Sequence, residues 1–436
     1  MILPKITFPD FKGSAILNLY MYNLFLSCAL TIAANLTFTD KLMLRMDIDL
    51  GLFGAIKGVM FLFPAIIYQF LALFLGRMQK DIQLCAVSYT LRVLLPSLLP
   101  FLAMVTDDRK ILTLGAVILL PLGMLFAVIA NNTLMAVYRK VIPPEKFNYS
   151  IGMINLFLNL PTFLLGLPFA WLLDRFDHLS NFHFYLLFGA LQLFTLAFEL
   201  PAILFLRRVK VPKEPPQSAA KINMLAPYRD KKLRLVMLTN VLHRIVNGLV
   251  MAYLTVYLLE VVRFRMTAVV TLSIILGVLL TFTQPYAGKA MDRWGYGRIF
   301  IILAATMLLG MLFFGVCWKS LFILPLFALL CWDCNTGPVG GWLNQGEYAA
   351  SVKLASGEHL KAAVAAYSIC FNGGLFLGLL LASGLYKAAG WMGFTELSER
   401  LHVYFLLSLP FFILLLGVTV YFQKVLSDSE KKESAT

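Results

Sequence analysis

Stretches of about twenty mostly apolar residues recur along this chain, and that recurrence constrains it more than any motif does. A helix of roughly 20 residues is what a bilayer core of about 30 Å requires. Twelve such stretches can be marked, near 14–37, 50–75, 82–105, 111–137, 150–173, 183–206, 235–259, 268–287, 299–317, 321–343, 362–385 and 403–423. Lipid offers no partner to an open N–H or C=O, so each stretch is expected as a helix. The alternating ten-residue strands of an outer-membrane barrel are absent from the pattern. Composition agrees: 60% of the 436 residues are hydrophobic and 14% charged, against about 25% charged in an ordinary soluble domain. Too few charges remain to coat a soluble protein of this length, which excludes a soluble enzyme, a fibrous protein or a disordered chain. The expected fold class is an all-α polytopic membrane protein.

The net charge of +14 would point a soluble chain toward nucleic acid. In a membrane chain the same excess marks cytoplasmic loops, so nucleic acid is not expected as a partner. With the N-terminus inside, 24 of the 37 Lys and Arg residues fall on the cytoplasmic side, 10 outside and three within spans. That bias predicts cytoplasmic N- and C-termini in a plasma (inner) membrane. The first apolar stretch is long enough to span and is expected to be retained as helix 1. Six cysteines (Cys28, Cys85, Cys317, Cys331, Cys334, Cys370) all lie in apolar stretches. They form no paired extracellular framework.

The longest loop, 207–234, carries nine basic residues against Glu214 and Asp230, and four prolines. It reads either as a basic linker lying on anionic headgroups or as a hinge between two bundles. The expected division is therefore 1–206, a six-helix bundle; 207–234, a basic cytoplasmic linker; and 235–436, a second bundle with a short tail. A shift of 212 positions supports a repeat. Phe163–Ala170 falls on Leu375–Ala382, Asn35 on Asn247, and Lys80-Asp81 on Asp292-Arg293. Two parallel six-helix repeats suit a transporter whose halves rock about a shared watery crevice.

After the eighth span comes Gly288-Lys-Ala-Met-Asp292-Arg293-Trp-Gly295-Tyr-Gly297-Arg298. Glycines let helix ends approach closely, and an acid flanked by arginines can hold an ion network that breaks when halves move. This pattern, G-x3-D-R-x-G-x-x-R, resembles the signature between helices 8 and 9 of the major facilitator superfamily. The resemblance implies twelve helices as two six-helix bundles in pseudo-twofold parallel repeat. It also implies that Gly288, Asp292, Arg293, Gly295 and Arg298 form a conformational latch rather than a substrate site. Tyr296 stands where the family often has a basic residue. The first-half counterpart, Gly76-Arg-Met-Gln-Lys80-Asp81, is degraded, so the latch is expected to rest mostly on one copy.

Polar residues inside spans are costly; a charge at the bilayer centre costs at least about 2.5–3.5 kcal/mol. Asn240, His243, Arg244 and Asn247 on the seventh span are spaced by three, four and seven, which places them on one helical face. A wet cavity is the environment such a face fits. Asp333 and Asn335 lie on the tenth span at a depth compatible with Arg244. An Arg244–Asp333 pair is expected, either purely structural or opened by a solute or proton competing for one partner. Asp333 is on that reading the coupling group.

Asn131 and Asn132, Asn155 and Asn159, and Asn372 are further cavity candidates, with helix–helix adhesion as the alternative use of such amides. Lys57 is expected to snorkel outward, and Glu199 to snorkel or pair with Arg207 or Arg208. Arg92, near mid-depth, has no account at this level. Cys331 and Cys334 have metal-like spacing, but nothing in the sequence completes a site, so neither a metal nor a cofactor is expected. Prolines at 121, 161 and 168, Gly337-Pro338 with Gly340-Gly341, and Asn372-Gly-Gly374 either interrupt helices or allow close packing.

These features point to a monomeric secondary transporter of a small polar or anionic organic solute, ion- or proton-coupled, rather than an enzyme. The phosphate loop G-x4-G-K-[ST] of an ATP-driven pump is missing from the sequence. An exporter of drugs or lipid-like amphiphiles is the alternative within that class. A sensor without flux and a membrane-embedded transferase are alternatives outside it. The 344–361 and 386–402 loops show no acid–base pair for the latter.

Overall fold

The computed structural model describes residues 15–33, 35–75, 81–142, 147–211, 226–316, 338–354 and 360–435. Among them every regular element is a helix. Among the described residues, seven helices are long and apolar enough to cross a bilayer, with shorter apolar helices at Leu50–Pro64, Met266–Leu280 and Tyr296–Leu312. The chain divides into two compact units, Met1–Asp47 with Ile66–Gln217, and Ile48–Ala65 with Ser218–Thr436.

In the first unit, α1 (Ala15–Ala33) and α2 (Leu36–Arg45) are separated by a break at which Asn35 caps α2. Its side-chain oxygen accepts from Thr37 N–H at 3.0 Å, satisfying a donor that has no partner within the helix. Then come α3 (Leu50–Leu75), which is shared by the two units, and α4 (Asp81–Val105), α5 (Arg109–Val141), α6 (Phe147–Arg175), α7 (Asn181–Ala197) and α8 (Glu199–Arg207). Tyr20 stacks on Phe157 and Phe25 on Phe205, with centroids 5.4 and 5.6 Å apart, joining α1 to α6 and α8. The sixth stretch breaks at Phe198 because Pro201 has no N–H to offer the Ala197 carbonyl. By contrast Pro121, Pro161 and Pro168 lie inside unbroken helices.

In the second unit, α9 (Ala226–Arg229) precedes α10 (Lys231–Val256), which begins four residues inside the expected linker. Asp230 caps α10 by accepting from Leu233 N–H at 2.9 Å. A π-helical turn (Tyr257–Val261) ends it. Then follow α11 (Met266–Trp294), α12 (Tyr296–Val316), α13 (Pro338–Leu354), α14 (Leu360–Trp391) and α15 (Leu397–Ala435).

The α10 segment is the most enclosed: 83% of its apolar window is buried inside the protein, against 33–50% in the six other spanning helices. Its polar residues therefore face protein, not acyl chains. It meets α14 almost backbone to backbone. A Cβ at Gly374 would sit 2.6 Å from the Val241 carbonyl oxygen, and one at Gly248 2.7 Å from that of Leu375. The glycines of α14 thus serve close packing, and that helix is continuous through Asn372-Gly-Gly374.

Three expectations change here. The segment 344–354, read as loop, is helical and belongs to α13. Lys57 does not snorkel: it is 1% exposed, and its Nζ donates to the carbonyl oxygens of Met251 and Ala252, each at 3.0 Å. Glu199 does not snorkel either. It is 2% exposed, with neither carboxylate oxygen hydrogen-bonded among the described residues.

Candidate functional site

The polar face of α10 meets α13 and α14. Arg244 is fully buried. One of its terminal nitrogens donates to the side-chain oxygen of Asn344 on α13, and its guanidinium lies 3.7 Å from the ring centroid of Phe371 on α14. A desolvated cation over an aromatic face is strongly held. The Tyr367 hydroxyl donates to the same Asn344 oxygen at 2.6 Å. Asn344 therefore accepts from two helices at once and fixes both donors.

One turn away on the same helices a second rung forms. Asn240 Nδ2 donates to Glu347 Oε2 at 2.8 Å, and His243 Nδ1 lies 3.1 Å from that oxygen. Neither His243 nor Glu347 exposes any side-chain surface. Among the described residues, Glu347 Oε1, His243 Nε2 and Asn240 Oδ1 are buried without hydrogen-bond partners. This buried acid and base lie within hydrogen-bond distance of each other, where water does not reach. The 344–361 segment, expected to lack an acid–base pair, thus supplies the acid of one.

The structure brings Asn240, His243 and Arg244 together as their spacing predicts. Asn247 is buried one turn further along. Asn372 donates to Ser368 O of its own helix at 2.9 Å. Asp333 and Asn335 lie outside the described residues. In the first unit, Asn131 accepts a hydrogen bond from the Tyr89 hydroxyl, and Arg92 lies 5.7 Å over the Tyr89 ring. Arg92 is thus half-buried beside an aromatic face. Asn132 sits on α5, and Asn155 and Asn159 on α6; their side chains are outside the described set, as is that of Asp292 on α11. Asn23 accepts from the Tyr138 hydroxyl at 2.7 Å and donates to Leu19 O at 2.6 Å, both within the first unit.

Of the latch residues, Gly295 joins α11 to α12 at φ +81°, a conformation L side chains rarely adopt. Its N–H closes α11 on Met291 O at 3.0 Å. Gly288 lies near the end of α11, and Arg293 and Arg298 are exposed on either side of the turn.

Sequence reasoning missed Asn344, Glu347, Tyr367 and Phe371. The signal for the first two is their i, i+3 spacing, which sets both on one face of α13. No group of three or more metal-ligating side chains gathers among the described residues.

An integral, multi-pass helical protein with a charged cluster buried in one bundle is the class this architecture defines. Its fold is that of the major facilitator transporters. No protein-family model matches the chain, and no curated protein sequence matches it. Solved structures do. The crystal structure of the nucleoside transporter NupG is 14% identical, covers 94% of this chain and 99% of its own, and has a TM-score of 0.68. A bacterial homologue of the iron transporter ferroportin, in an inward-facing state, is 13% identical, with coverage of 94% and 98% and a TM-score of 0.68. A POT family transporter in complex with 5-aminolevulinic acid is 13% identical, with coverage of 96% of each chain and a TM-score of 0.62.

Proposed function

We propose that the protein is a secondary active transporter that moves a small polar or anionic organic solute across the membrane by alternating access. The observation that carries this reading is Arg244, fully buried in a bundle and met there by Asn344, Tyr367 and Phe371. Such a cation is costly in a membrane, and a solute anion is the partner its chemistry suits. The Phe371 ring beside it offers an apolar surface to the organic part of that solute. The protein acts as a monomer in the plasma membrane with both termini cytoplasmic, and it is not an enzyme. The structural neighbours are named for chemically unlike cargoes, among them a nucleoside transporter and a bacterial homologue of an iron transporter. That spread supports transport as the use of this fold and leaves the cargo to the site.

Asp333, which the sequence sets at a depth compatible with Arg244, competes with the solute for the guanidinium. Driving energy comes from an ion or proton gradient.

The test is uptake into vesicles reconstituted with the purified full chain, using solutes that raise its melting temperature in a thermal-shift screen. Wild-type protein is expected to accumulate at least one such solute. Arg244→Gln should abolish accumulation while the protein remains folded, and Asp333→Asn should abolish its coupling. Absence of flux for every stabilising solute overturns the transporter reading.

A further inference from the structure

Beyond the arginine that meets the solute, the second rung between α10 and α13 has a chemistry of its own. We propose that His243 and Glu347 form a proton-binding site and that its proton is the coupling ion; the coupling half of this statement rests on the transporter reading above.

The geometry is specific. Both side chains are fully buried, one carboxylate oxygen takes both the Asn240 amide and the imidazole Nδ1, and the outer atoms of each group, Glu347 Oε1 and His243 Nε2, have no hydrogen-bond partner among the described residues. A purely structural pair would be expected to use all of its polar atoms, since each left open in a dry interior costs free energy. Here the two open atoms are the two on which a proton can sit. Uptake of one proton from water forms one new bond, O–H at Glu347 Oε1, beside the imidazole of His243. It changes the charge of the pair from −1 to zero, and release to water on the opposite side reverses it. The two residues share that proton as a unit. Intramembrane acid–histidine sets of this kind are the groups proton relays use.

The groups facing the pair allow it to report on the solute. Arg244 adjoins His243 on α10 and acts on it electrostatically. From α14, Tyr367 and Cys370 lie within electrostatic reach of Glu347. Next to Glu347, a Cβ added at Gly346 would first meet Phe300 of α12 and Met291 of α11. Arg244 is therefore the cation whose occupancy the pair senses. Asn344 and Glu347 also stand one turn apart on α13, so the arginine rung and the proton rung bridge the same two helices. Withdrawing α13 from α10 strains both together, which ties solute release to proton release.

The measurement is infrared difference spectroscopy on the purified full chain during a step in pH, in light and heavy water. A protonated-carboxyl band that titrates with pH, is lost in Glu347→Gln and titrates at a different pH in His243→Gln is the expected result. Asp333→Asn should keep the band. The glutamine at 347 still accepts from Asn240, and thermal melting verifies that the variants are folded. Should no titrating band disappear in folded Glu347→Gln, the proton site is overturned.

In vesicles, a pH gradient of one unit coupled to one proton per uncharged complex sustains about tenfold solute accumulation. Glu347→Gln should reduce that ratio to about one. A wild-type protein that accumulates solute with no response to the pH gradient sinks the coupling but keeps the transporter. A protein that shows the Glu347 band yet moves no solute keeps the proton site and loses the transporter.

Discussion

Gly378 on α14 lies against Ile245 on α10 so closely that a single added Cβ would collide with the Ile245 carbonyl oxygen. That oxygen belongs to backbone and cannot swing aside. Gly378→Val is therefore expected to push α14 off α10, lowering stability by about 1–3 kcal/mol, the usual cost of overpacking. Thermal unfolding in detergent would register it as a drop in melting temperature. Unchanged melting would mean that the helices separate without cost.

Arg244→Lys keeps the charge but loses the planar fork that reaches Asn344 while lying over Phe371. Lysine is a point charge on a flexible stem and is not equivalent at a stacked site. Solute affinity, measured by the shift in melting temperature with added solute, should fall about tenfold or more; a loss of 1.4 kcal/mol is tenfold. Full affinity in the lysine variant would remove the geometric part of the argument.

Lys57 donates to two backbone carbonyls of α10 and is almost wholly enclosed. Charge-assisted hydrogen bonds contribute about 1.5–3 kcal/mol. Lys57→Met should lower the melting temperature correspondingly, whereas removal of a lysine that merely snorkels to water would leave it unchanged.

At the turn between α11 and α12, Gly295→Ala should destabilise by about 1 kcal/mol because of its positive φ. Asp292→Asn tests the latch itself. Uptake should slow while solute affinity is retained, which stopped-flow uptake and equilibrium binding measured on one preparation can separate.

Which parts of this could be foreseen depended on where polarity sat relative to the apolar stretches. The face of α10 was legible because Asn240, His243 and Arg244 interrupt a long apolar run at helical spacing, and a run with such a face has to turn it away from lipid. Glu347 was hidden for the converse reason. The window that locates a span averages hydropathy, and Asn344-Gln345-Gly346-Glu347 pulls that average down, so the span was ended at 343 although the helix continues to Leu354. Hydropathy measures composition, while burial among other helices depends on facing, which a window does not resolve. Lys57 was misjudged likewise: a long side chain near a helix end can reach water, but here backbone carbonyls of a neighbouring helix are nearer. The offset that aligned Asn35 with Asn247 paired unlike positions, since Asn35 caps a helix break and Asn247 lies within an unbroken helix. The motif at Gly295, by contrast, falls on a real turn whose φ calls for glycine.

Because glycines seat α14 on α10 with no side-chain layer between them, those two helices have little freedom to slide or roll independently. They behave like a fixed door jamb. Opening at the Asn344 and Glu347 rungs would move the leaf hung opposite, α13, and a spin label on α13 should then record a far greater displacement than one on α14 when measured from α10.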